Sequence, residues 1–199
     1  VLTLRAAEAG LLISVTADTV VRLVPPLILT VAEADEMVAI AQKNSQRLTV
    51  LINDLLDMEK LVEGKVNIDA ELHDLMPIVD RAIADNQAYA QQYGVTIVGV
   101  ERVDEAVVEV DSLRLLQVMA NLLSNAAKFS PNNSVVTVRT SRGETIVRVE
   151  VSDTGPGVAE AFRGSIFEKF SQADASDSRQ RGGTGLGLAI SKELIERMD

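Results

Sequence analysis

The longest regular pattern in the chain spans residues 31–62. There Met37, Ala41, Asn44, Leu48, Leu51, Leu55, Met58 and Val62 recur at alternating steps of three and four. This is the spacing of a helical-bundle or coiled-coil seam, so the sequence predicts one long helix. Val38, Ile52 and Leu56 widen the stripe from a two-strand seam toward a bundle. Asn44, the polar member, either fixes register or is a solvated position. Upstream, residues 4–24 predict a preceding helix ended by Pro25-Pro26, and the two together an antiparallel helical hairpin. Ile13, Val15, Thr16, Thr19, Val20 and Val21 work against that first helix, because β-branched side chains lose rotamer freedom in it.

Gly64 ends this pattern and Lys65–Ile68 starts another. From there the order reads strand, helix, strand, strand, helix, two strands, loop, helix. Leu75, Val79, Ala82, Ile83 and Asn86 mark a helix face that ends near Gly94. Short strands follow at 95–98 and 107–110. Asp111 or Ser112 caps a helix running to Ser130 and stopped by Pro131. Strands 135–142 and 145–152 are separated by Gly143, as in a hairpin. Without strict βαβ alternation, this mix predicts an α+β fold, a two-layer sandwich with helices on one face of a mixed sheet. Residues 171–184 form a polar, Gly- and Ser-rich stretch that predicts a mobile loop.

Composition narrows what such a fold does. The net charge of −10 argues against nucleic acid as the main partner, since phosphate backbones are bound by clustered Lys and Arg. With no Cys, there is neither a disulfide framework nor a thiolate zinc site. Residues 10–31 are apolar but carry Asp18 and Arg22, Ser14 and two prolines, which argues against a membrane-spanning helix. No signal-peptide pattern is visible. A cytoplasmic segment without direct membrane contact, possessing an abrupt start and end typical of an excerpt from a larger protein, is the expectation. Its length accommodates one full domain plus a smaller helical piece.

Four short motifs carry the candidate chemistry: NLLSNAAKF (121–129), DTGPG (153–157), FEKF (167–170) and GTGLGL (183–188). Gln117, Asn121, Asn125 and Lys128 share one face of the helix 112–130, while Leu115, Met119, Leu122, Ala126 and Phe129 lie together on another. Amide oxygens suit Mg²⁺, and a lysine supplies a point charge to phosphate. The same face reads equally as the polar exterior of a surface helix. Asp153 ends a strand and can accept a hydrogen bond from an exocyclic amine such as that of adenine, or simply cap a turn. Gly155 and Gly157 let backbone approach a ligand. Gly183, Gly185 and Gly187 open directly into a helix, whose first amides suit phosphate oxygens. Phe167 and Phe170 read as core residues anchoring the loop. Arg179 and Arg181 are within reach of phosphates or are solvated.

Taken together, the motifs resemble those of the catalytic ATP-binding domain of sensor histidine kinases, a superfamily that includes gyrase-type and chaperone ATPases. NLLSNAAKFS resembles the N box, DTGPG the G1 box, FEKF the F box and GTGLGLAISK the G2 box; residues 171–182 fall where the ATP lid would be. The resemblance implies ATP and Mg²⁺ as cofactors. It places Asn125 on Mg²⁺, Lys128 on phosphate and Asp153 on the adenine amine, with Asn121 lining the same site. Gly155, Gly157, Phe170, Thr184, Gly185, Leu186 and Gly187 complete the implied nucleotide-binding set. Residues 45–61 resemble the second helix of the family's dimerisation and phosphotransfer hairpin. The implied organisation is a hairpin at 1–63, pairing into a dimeric four-helix bundle, and an ATP-binding domain at 64–199. The implied partners are a second copy and a response regulator receiver domain.

The chain departs from the family in two places. Neither VLTLRAAE (1–8) nor VRLVPPL (21–27) supplies the acceptor histidine, so no catalytic residue is assigned. The sole histidine, His73, lies after the second hairpin helix, where it reads as a helix-start or surface residue. The family's last strands after the G2 helix are also absent. Chaperone- and gyrase-type relatives carry a water-activating Glu four residues before the metal Asn, whereas this chain has Asn121 there, which argues against hydrolysis as the main function. Two readings stand: a histidine kinase core for two-component signalling, or an altered nucleotide-binding and dimerisation module lacking an acceptor.

Overall fold

The computed structural model describes residues 12–16, 20–24, 30–62, 67–171 and 184–198. The candidate acceptor segment at 1–8, Pro25-Pro26, Gly64, Gly183 and the lid residues 172–182, with Arg179 and Arg181, lie outside them. The chain divides into two compact units, residues 1–50 and 51–199.

In the first unit, β1 (Leu12–Thr16) and β2 (Val20–Val24) pair antiparallel, with Val15 opposite Val21. Over residues 12–16 and 20–24 this corrects the helix expected across 4–24, the first arm of the helical hairpin. The β-branched residues decide the local conformation, since they fit a pleated strand better than a helix. The next element, α1, covers Val31–Val62 as the heptad spacing predicts. Its start is a reciprocal capping box: Thr30 and Glu33 exchange hydrogen bonds, Thr30 N donating to Glu33 Oε2 at 2.8 Å.

The second unit begins within α1 and continues through β3 (Glu71–Asp74), α2 (Leu75–Gln92), β4 (Thr96–Val100) and β5 (Val107–Val110). Then come α3 (Ser112–Phe129), β6 (Val135–Arg142), β7 (Val147–Ser152), the single turn α4 (Glu160–Arg163) and α5 (Gly187–Met198). β4 runs parallel to β6, and β6 antiparallel to β7, so the central sheet is mixed in the order β4-β6-β7. β3 and β5 form a separate antiparallel pair. The strand expected to start at 65–68 begins only at Glu71, and His73 sits in it opposite Val108, one residue before the α2 cap Asp74.

Helices and sheet meet in a core of Leu75, Val79 and Ala82 from α2, Met119, Leu123 and Ala127 from α3, and Val136 and Val138 from β6. This is the two-layer α/β sandwich the sequence predicts. A second cluster joins Met58 and Leu61 of α1 to Val118 of α3 and to Leu186, Ile190 and Leu194 at α5. Met58 and Leu61 are therefore packed within the unit. Leu48, Ile52 and Leu55 on the same helix remain about half exposed, at 58%, 49% and 55%.

Asp111 holds the start of α3. Its carboxylate accepts from the amides of Leu113 and Arg114 and from Asp69 across 42 positions. Burial pushes its pKa up, but these amide donors and the nearby Arg114 charge outweigh burial and hold it below the usual carboxylate range.

Candidate nucleotide site

The site grows from α3, whose residues Asn121, Asn125 and Lys128 are all half-buried on the side away from the main core. Four-residue spacing stacks the two asparagines, and Asn125 Nδ2 donates to Asn121 Oδ1 at 3.4 Å. Asn121 Nδ2 donates in turn to Ser191 Oγ on α5 at 2.8 Å. Lys128 lies over the Phe129 ring, its Nζ 4.9 Å from the centroid, and Phe129 is partly exposed instead of packed as expected.

Three glycines bring the motifs together by admitting neighbours where a Cβ would stand. At Gly155 a Cβ would lie 2.8 Å from the Phe129 carbonyl oxygen, so the DTGPG turn rests on the last residue of α3. A Cβ at Gly187 would overlap Asn121 Oδ1, so the start of α5 rests on the first asparagine. Gly185, at φ +70°, sits where a Cβ would be 2.9 Å from the backbone of Phe170. The N, G1, F and G2 motifs, scattered from residue 121 to residue 188, are thus neighbours in pairs.

Asp153 is exposed at the end of β7, and its Oδ1 accepts from Gly155 N at 2.7 Å, which fixes the carboxylate at the mouth of the turn. A carboxylate has about four acceptor positions, so this bond leaves capacity for an amine. Gly157, at φ +73°, has open space beside it. Thr184 Oγ1 accepts from Leu186 N at 3.0 Å and donates to Asp54 Oδ2 on α1 at 2.9 Å. The Leu186 side chain is buried in the second cluster, so any part it plays toward a ligand falls to its backbone.

Two expectations are corrected here, and one pair of residues is new. Gln117 shares the helix face of Asn121 but donates to Asp57 Oδ2 at 2.8 Å, so α1 occupies it. Phe167 and Phe170 are not core residues; they are 47% and 64% exposed. Asp54 and Asp57 went unread in the sequence, although they interrupt the apolar run of α1 three residues apart. Burial raises the Asp54 pKa most, and the Asp57 charge adds to it, against the Thr184 hydrogen bond.

Residues 110–199 match the family described as histidine kinase-, DNA gyrase B-, and HSP90-like ATPase. Sensor protein GacS of Pseudomonas syringae pv. syringae is 40% identical over 164 residues, covering 79% of this chain and 18% of the relative. The circadian input-output histidine kinase CikA of Synechococcus elongatus is 36% identical over 165 residues, 81% of this chain and 22% of CikA. This chain carries a sensor histidine kinase ATPase domain. Solved structures agree on the fold of the histidine kinase domain. Full-length ShkA in complex with AMPPNP superposes with a TM-score of 0.69 at 29% identity, over 85% of this chain and 35% of ShkA. The catalytic domain of histidine kinase ThkA superposes with a TM-score of 0.57 at 25% identity, over 65% of this chain and 82% of ThkA. The chain spans about a fifth of the length of its curated relatives.

Proposed function

We propose that this histidine kinase domain binds Mg-ATP between α3, the DTGPG turn and the start of α5, and passes the γ-phosphoryl group to a protein histidine in two-component signalling. The observation that carries the reading is the pairwise contact of the four motifs through Gly155, Gly185 and Gly187. The AMPPNP in the ShkA complex adds support for a nucleotide ligand. Asp153 would recognise the adenine amine, Lys128 would meet phosphate oxygens, and the open turn at Gly157 and the α5 amides would line the rest. Among the described residues no group of three or more His, Asp or Glu could hold a metal alone. The donor set still fits Mg²⁺, which takes few protein oxygens and completes its octahedron with phosphate and water. Asn125, whose Nδ2 is turned to Asn121, presents its oxygen on the other side. When bound, the metal would neutralise charge on the transferring phosphate; the chain's own work is positioning. Asn121, in place of a water-activating Glu, favours transfer to a group over hydrolysis.

The acceptor is the open part. His73, the only histidine in the sequence, lies in β3 within the sheet pairing and belongs to no motif of the site. This favours, as the second reading, a catalytically impaired or altered nucleotide-binding and dimerisation module that lacks an acceptor histidine in this chain. Homodimerisation through the exposed α1 stripe and transfer onward to a receiver domain complete the proposal. No described helix is long and apolar enough to cross a membrane, and a cytoplasmic position is part of the same reading.

AMPPNP titration with Mg²⁺ tests the site: Asn125→Ala and Asp153→Ala should each weaken binding about tenfold or more. Unchanged affinity in both would remove the assignment. Incubation with γ-labelled ATP, alone and with a histidine-bearing hairpin, then separates the two readings: acid-labile label on this chain or on the hairpin supports transfer, and its absence from both supports the impaired module.

A further inference from the structure

On α5, Gly187 and Ser191 stand four residues apart and both face Asn121 of α3, whose Oδ1 accepts from Asn125. Ser191 is only 6% exposed in a helix whose other buried residues are Ala189, Ile190 and Leu194. A hydroxyl there adds nothing to packing that alanine would not, and a buried polar group costs stability unless it is hydrogen-bonded. Its partner is the Asn121 amide, 2.8 Å away. Gly187 leaves the space into which that amide fits.

We infer that Ser191 is a positioning residue for the metal-bearing amide, acting through Asn121 on Asn125. The inference rests on the assignment of Asn125 to Mg²⁺. A cation accepts only the oxygen of an amide, so a metal-competent Asn125 must direct its Nδ2 inward. Asn121 must then offer Oδ1 to Asn125 and turn its own Nδ2 the other way. That second N–H needs an acceptor in a closed space, and Ser191 Oγ is the atom that stands there. Without metal, both amides are free to reverse, because the order of donors and acceptors no longer matters. The acceptor at position 191 is therefore needed most in the metal-bound state, and its removal weakens the metal-dependent part of nucleotide binding.

The test is AMPPNP titration of the full 199-residue chain at stepped Mg²⁺, with thermal unfolding followed in parallel. Ser191→Ala should leave Mg²⁺-free affinity unchanged and raise the Mg²⁺ needed for half-maximal affinity roughly fivefold, the effect of one ordinary hydrogen bond. Ser191→Thr, which keeps the oxygen, should restore the wild-type Mg²⁺ requirement. Adding Ser191→Ala to Asn125→Ala should change nothing further, because the two act in series. Equal loss with and without Mg²⁺, or an additive double mutant, would overturn the inference. If Asn125→Ala loses the Mg²⁺ dependence while Ser191→Ala shows the wild-type Mg²⁺ requirement, only the role of Ser191 fails. If Asn125→Ala keeps it, the metal assignment fails and the inference falls with it.

Discussion

Single residues hold the site in place by what they leave out as much as by what they contribute. Gly155 has no room for a side chain, because the Phe129 carbonyl oxygen stands 2.8 Å from the Cβ position. Backbone cannot step aside as a flexible side chain can, so Gly155→Ala must lift the DTGPG turn off α3. We expect AMPPNP affinity to fall roughly tenfold, about 1.4 kcal/mol, with the fold retained; wild-type affinity in the variant would show the turn is not coupled to the site. Asp111 acts by its charge instead. Its carboxylate holds three backbone amides, and Asp111→Ala should cost roughly 1–3 kcal/mol in chemical denaturation at neutral pH. Since amide donors keep its folded pKa below the unfolded value, that contribution is present above the unfolded pKa. It is lost as pH falls through the folded pKa, so the gap between wild type and variant should close in acid. Both residues were legible as a turn glycine and a helix cap. What they touch, Phe129 O and Asp69 N, was not, because those partners are brought near only by chain folding.

At the scale of elements, α1 is read in two ways along its length. Its spacing predicts one apolar stripe, and the helix spans the predicted residues, yet the stripe does not act as a single surface. Met58 and Leu61 turn into the cluster with α5, where each fully buried side chain contributes roughly 1.5–3 kcal/mol, while Asp54 and Asp57 reach Thr184 and Gln117. Charge at Asp54 is penalised by burial, and its pKa is raised. A raised folded pKa means the native state binds more protons than the unfolded state just above the unfolded value, about pH 4. Stability therefore falls as pH rises through that window, and the penalty persists at neutral pH. Asp54→Asn keeps an acceptor for Thr184 and removes the charge. Thermal unfolding should show the variant more stable than wild type at pH 7, with the difference vanishing below about pH 4. A pH-independent difference would mean the charge is already relieved by solvent. The β1–β2 hairpin gives the opposite lesson: there local β-branched composition outweighed an apolar run that could be written as a helix.

For the whole molecule, the half-exposed Leu48, Ile52 and Leu55 predict that the chain pairs through α1. Sedimentation should report a dimer, and Leu48→Lys with Leu55→Lys should reduce it to a monomer whose AMPPNP affinity is unchanged; a wild-type monomer would sink the pairing. The sequence by itself determined the sandwich elements, with β5 and β6 at their predicted bounds, because period and capping are local properties. It also determined which four motifs mattered, because glycines and amides at fixed spacing are chemistry that survives without coordinates. Only the tertiary structure decided which partners those residues have. Gln117 and Asn125 lie on the same helix face and read alike, but one is occupied by Asp57 of α1 and the other by the amide relay to Ser191. The face of a helix is set by 3.6 residues per turn; what stands opposite it is set by loops and packing from residues 60 and 70 positions away, which no local pattern encodes.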